Sequence, residues 1–121
     1  MNKRFMRFPE GKKKALTLSY DDCMEEDIDL IHRLEKYQMK ATFNLIPGWF
    51  AKEGTTYPEG ETYRLVTKKK AKEMYEHPLV EVANHGNEHK YMTSLTPLEM
   101  AEDTILCRKS LESLYGKIIR G

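Results

Sequence analysis

A chain of 121 residues has room for one domain with a modest core, burying roughly two thirds of the surface its unfolded form would expose, and none for a second independent unit. Its 20 Lys and Arg against 19 Asp and Glu leave a formal net charge of +1, so the global field implies neither a nucleic-acid partner nor an anionic membrane. No apolar run approaches the roughly 20 residues that cross a bilayer, and the polar start Met1-Asn2-Lys3-Arg4 leads into no secretory apolar segment, which makes the cytoplasm the expected location.

Residues 1–12 read as an N-terminal tail, followed by a strand over 15–20 (Ala15-Leu16-Thr17-Leu18-Ser19-Tyr20) that delivers Asp21 and Asp22 at its C-terminal end. Neighbours on a regular strand face opposite ways, so both aspartates line one pocket only if the strand ends or twists there. Met24, Ile28, Ile31, Leu34 and Tyr37 then form a helical stripe, opened by Glu25, Glu26 and Asp27 in keeping with the helix dipole. Cys23 could serve as a soft ligand, but packing as a small hydrophobe is the better reading; with Cys107 it forms no metal-knuckle or redox spacing. His32 reads as a surface residue.

A second strand over 41–46 is ended by Pro47-Gly48, and Trp49-Phe50 follow in a loop, where they either cover the core or stack on a sugar ring. Glu53 to Glu61 is a connection. Thr67 caps a helix over 68–76, which His77-Pro78 closes, and Val80-Glu81-Val82-Ala83 is the third strand. Lysine triplets at 12–14 and 68–70 read as solvated faces. The last helix is announced by the capping box Thr96-Pro97-Leu98-Glu99 and stopped by Gly116; its apolar residues drift from Leu98, Ala101 and Ile105 to Cys107, Leu111 and Leu114, suggesting contact on more than one side. Lys117-Ile118-Ile119-Arg120 looks like the start of a fourth strand.

This alternation predicts an α/β fold, a parallel sheet of about four strands flanked by helices, with ligands gathering at the strand C-terminal ends. Asp21, Asp22, Trp49, His85 and His89 all fall there. The pair His85 and His89, four residues apart, can put both rings on one side of a helical turn, the way many proteins present two nitrogens to zinc. With Asp22 the pair gives a one-carboxylate, two-imidazole set of the open, catalytic kind. Asp21 is then the unligated carboxylate that accepts a proton from activated water. His85-Gly86-Asn87-Glu88-His89 also satisfies His-x-x-Glu-His, a metalloprotease pattern that needs a continuous helix.

These residues resemble the polysaccharide deacetylase family, the NodB-homology domain of carbohydrate esterase family four. Its first motif, usually Thr-Phe-Asp-Asp, is matched by Ser19-Tyr20-Asp21-Asp22. Its second, His-Ser/Thr-x-x-His after asparagine, is matched by Asn84-His85-Gly86-Asn87-Glu88-His89, with Gly86 in place of a hydroxyl that normally helps hold the loop. The likeness runs from about Lys13 to the end. It implies the first half of a distorted (β/α) barrel over 1–121 as a single incomplete domain. It also implies Asp21 as catalytic base, and Asp22, His85 and His89 as ligands of a divalent metal, zinc expected.

By the same resemblance the substrate is an N-acetylated carbohydrate or a related small amide. The family's third, fourth and fifth motifs, the last supplying a histidine acid, would lie beyond Gly121. The chain is therefore expected to keep the metal-and-base half of the machinery and to turn over substrate poorly. The alternative is a non-catalytic metal-binding or interaction fragment, completed by another chain or by self-association into a homo-oligomer through an exposed sheet edge.

Overall fold

The computed structural model describes residues 7–121, so part of the expected 1–12 tail lies outside the described residues; 7–12 are exposed. Three parallel strands form the sheet in the order β1 (Ser19–Asp21), β2 (Ala41–Leu45), β3 (Val80–Asn84). Between and after them come α1 (Asp27–Tyr37), α2 (Lys68–Tyr75) and α3 (Pro97–Tyr115). The register aligns Tyr20 with Phe43 and Phe43 with Val82, and Asp21 with Asn44.

Strand alternation sorts the two faces. Tyr20, Ala41, Phe43, Leu45, Val80 and Val82 belong to the core with Ile31, Leu34, Ala71, Met74, Tyr75, Cys107 and Leu111 from the helices. The intervening positions Ser19, Asp21, Thr42, Asn44 and Glu81 are polar and partly or fully exposed, with Ala83 beside Asn44 the buried exception. Thr42 Oγ1 donates to Glu81 Oε2 (2.6 Å) across that face. The sheet thus has one dry side against helices and one wet side that carries Asp21.

The first strand is shorter than expected. Ala15 to Leu18 are not strand, and Leu16 is 75 % exposed, because pairing starts where Thr42 N donates to Leu18 O (2.9 Å) and β2 offers no residue earlier than Ala41. Nor does a fourth strand form among the described residues. Gly121 O accepts one bond from Asn84 N (3.0 Å), but Ile119 N is taken by Glu112 Oε1 (3.1 Å), so no ladder propagates. Both β1 and β3 therefore remain sheet edges among the described residues.

The helices start and stop for local reasons. Thr67 Oγ1 accepts from Lys70 N at the head of α2, and α3 has the full capping box, with Thr96 N donating to Glu99 Oε2 (2.8 Å) and Gly116 closing it at φ +64°. At α1 the buried Asp27 carboxylate accepts from Met24 N and from the Tyr75 hydroxyl, which ties α1 to α2. Burial raises the Asp27 pKa, and burial followed by the neighbouring Asp27 charge raises that of Tyr75. On α3 the buried residues Asp103, Cys107, Leu111 and Tyr115 recur every fourth position, a single face; Leu98, Ile105 and Leu106 are exposed, contrary to the expected two-sided contact. No helix among the described residues is long and apolar enough to cross a membrane.

Candidate metal centre

Asp21 and Asp22 leave β1 on a sharply turned backbone. The strand ends at Asp21, and Asp22 and Cys23 both take left-handed conformations (φ +77° and +53°), which reorients Asp22 out of strand alternation. Each such residue costs on the order of 1–3 kcal/mol and persists where its surroundings over-determine it. Here Cys23 is fully buried, Val66 N donates to Cys23 O (3.1 Å), and Glu25 N donates to Arg64 O (2.7 Å), clamping the turn to the segment before α2. Ion pairs of Arg64 with Glu26 (2.6 Å) and Lys70 with Glu25 (2.9 Å) lie over the same turn.

Asp21 is held from the wet face of β2. Asn44 Nδ2 donates to Asp21 Oδ1 (2.7 Å) and to Ser19 Oγ (2.8 Å), leaving Asp21 Oδ2 facing His85. His85 Nε2 lies 3.9 Å from Asp21 Oδ2 and 3.9 Å from Asp22 Oδ1, so one imidazole nitrogen faces both carboxylates.

The two histidines do not share a helical turn. Residues 85–90 form a loop after β3, with Gly86 at φ +80° and His89 at φ +52°, yet the rings still meet, 4.7 Å between centroids. Trp49 also packs against His89, 5.0 Å between ring centroids. The continuous helix that the metalloprotease reading requires is not formed, and Glu88 pairs with Lys90 (2.6 Å).

One donor atom each from Asp22, His85 and His89 lies within 4.8 Å of the others. Ligands about 2.1 Å from a common tetrahedral zinc stand about 3.4 Å apart, so donor pairs that begin up to 4.8 Å apart close by up to about 1.4 Å to share one ion. The donor chemistry, two imidazoles and a carboxylate on a partly exposed rim, fits a divalent metal. Cys23 takes no part. Its thiol points at Ile46 O (3.7 Å) and is pushed up to about 12 by burial, while Cys107 points at Leu45 O (3.6 Å) and is pushed up to about 11 by the same cause. His32 is exposed on α1, and His77 Nδ1 accepts from Leu79 N (3.2 Å) at the opposite end of β3.

Three residues of the site escape a reading by motif: Asn44, Gly48 and Asp103. Asn44 is flagged only by its place on β2, a polar residue between the inward-facing Phe43 and Leu45. Gly48 N donates to Asn87 O (2.9 Å), locking the loop after β2 to the histidine loop, and a Cβ at position 48 would stand 2.2 Å from that oxygen. Gly48→Ala is accordingly expected to destabilise the fold by about 1–3 kcal/mol. Urea unfolding with an unchanged midpoint would show that the two loops part freely.

The comparisons with known proteins bear on this arrangement directly. The sequence profile described as polysaccharide deacetylase matches residues 8–121, nearly the whole chain. The chain belongs to the polysaccharide deacetylase family. A polysaccharide deacetylase from Bacillus cereus superposes with a TM-score of 0.69 at 21 % identity, covering 90 % of this chain and 32 % of that one. A Streptococcus pyogenes deacetylase, solved with acetate, gives 0.67 at 24 % identity over 88 % of this chain and 44 % of its own. A de-N-acetylase from Aggregatibacter actinomycetemcomitans gives 0.67 at 21 % identity over 92 % and 54 %. No significant match to a curated protein was found. This deacetylase-family chain therefore spans about a third to a half of these solved relatives, and its sheet and helices are part of their (β/α) barrel, as expected.

Proposed function

We propose that this chain holds a divalent metal, zinc for preference, on Asp22, His85 and His89, with Asp21 as general base, for hydrolysis of the acetamide of an N-acetylated carbohydrate or a related small amide. The observation that carries the reading is the convergence of the three donors from two distant strand ends to within 4.8 Å of one another, with a second carboxylate beside them. Two nitrogens and an oxygen suit zinc, though other divalent ions take the same set. When bound, the metal supplies Lewis acidity, polarising a carbonyl oxygen and acidifying water.

The chain's own residues do the rest. Asp21 Oδ2 is free of the Asn44 contact and faces the donor cluster, so it accepts the proton released as water adds to the amide carbon. The C–N bond then breaks to give acetate and an amine whose nitrogen takes up a proton. Neither His32 nor His77 is placed to deliver that proton, and slow turnover follows for this chain by itself.

Two measurements test the proposal. Zinc titration should show one equivalent bound by the wild type, with Asp22→Ala and His85→Ala each weakened by more than the roughly 10- to 100-fold that loss of an outer partner costs. Acetate release from an N-acetylated chito-oligosaccharide should require added zinc and stop with chelator. Unchanged stoichiometry and affinity in both variants would reject the ligands, and peptide cleavage without acetate release would reject the reaction.

A further inference from the structure

The histidine loop is built around a buried carboxylate that no motif contains. Asp103 heads the buried face of α3 and is only 5 % exposed. A buried carboxylate is tolerated when its oxygens are satisfied, and here each oxygen takes one backbone amide: Oδ2 accepts from Asn87 N (3.0 Å) and Oδ1 from Glu88 N (3.1 Å). Lys90, the cation that follows the histidine loop, is engaged by Glu88. The carboxylate is thus committed to the two peptide groups immediately before His89.

The rest of the loop is closed in the same way. His85 N donates to Leu45 O (3.2 Å), Gly86 N to Asn84 Oδ1 (2.9 Å), and Asn84 Nδ2 reaches Thr104 O (2.8 Å), one residue beyond Asp103. Every amide from His85 to Glu88 therefore has a protein acceptor, and two of the four are supplied by Asp103. Gly86 completes the device. A Cβ there would stand 2.6 Å from Asp103 Oδ2, on a backbone at φ +80° that side chains rarely adopt. A side chain at position 86 would therefore force the Asp103 carboxylate to shift from the two amides it holds.

We infer that Asp103 is the positioning residue of the histidine pair, and that glycine at position 86 leaves its carboxylate the room to reach the two loop amides. The inference rests on the metal reading above for its effect on affinity. Asp103 touches no reacting atom. It sets the path of residues 87 and 88, and through them the approach of the His89 ring to His85.

The test compares wild type, Asp103→Ala, Gly86→Ser, the double variant, and Leu111→Ala as a control that opens a cavity on the same helix face without touching the loop. Zinc affinity should fall about 10- to 100-fold in Asp103→Ala, while Leu111→Ala, once confirmed folded by circular dichroism, binds as wild type does. Amide exchange at Asn87 and Glu88 in metal-free protein should quicken in Asp103→Ala and not in the control. Gly86→Ser should weaken zinc despite restoring the motif, and the double variant should lose less than the product of the two single losses, since removing the carboxylate removes the clash.

Unchanged affinity and unchanged exchange in Asp103→Ala would overturn the inference, as would equal weakening in Leu111→Ala. A wild type that takes up no zinc would instead overturn the metal reading and the claim on affinity with it. The exchange of those two amides reports on the carboxylate independently of any metal.

Discussion

Asp21→Asn is expected to leave zinc bound as in the wild type while lowering acetate release by about 10²–10⁴-fold, the usual contribution of a positioned general base. The replacement keeps the side-chain shape, and its remaining carbonyl oxygen can still accept from Asn44 Nδ2, which now donates to Asp21 Oδ1 at 2.7 Å. What it removes is the second oxygen's ability to take a proton beside His85, from which it is 3.9 Å away. Measuring release with protein in excess over substrate makes slow turnover visible. If zinc binding falls in step with activity, Asp21 is a ligand; if release is untouched, the proton goes elsewhere.

Phe43→Ala should lower folding stability by about 3–5 kcal/mol, the loss typical of a fully buried aromatic truncated to a methyl. Against the roughly 6–18 kcal/mol expected for a chain of this length, that is a large fraction of the total. Phe43 is 1 % exposed at the centre of β2, with its ring centroid 5.5 Å from Tyr20 and 5.3 Å from Tyr75. Tyr75 in turn donates to Asp27 at the start of α1, so the cavity would loosen the join between α1 and α2 as well as the sheet. Urea unfolding should report this as a lower midpoint at constant slope. A loss below about 1 kcal/mol would place the core's centre elsewhere.

Local chemistry was the readable part. The capping box at Thr96, the cap at Thr67 and the stop at Gly116 act within a turn of themselves, and the structure shows them where the residue types demand. The candidate donors were legible because strand ends are legible: apolar runs leading to Asp21-Asp22 and to Asn84-His85 must deliver those residues to the same C-terminal end of a parallel sheet. The histidine spacing is compatible with one helical turn, but the segment is a loop, with Gly86 at φ +80° where a helix needs a negative φ.

By itself, the sequence determined the order of strands and helices, the helix ends, and the residue types that meet at the C-terminal end of the strands, because these follow from neighbours a few positions apart. Only the tertiary structure decided how far β1 extends, that residues 118–120 do not form a strand, and that Asn44 and Asp103 hold Asp21 and the histidine loop. Those outcomes depend on which distant group arrives to fill a backbone donor or acceptor. Partners 16 and 23 residues away leave no period in the chain for a reader to follow.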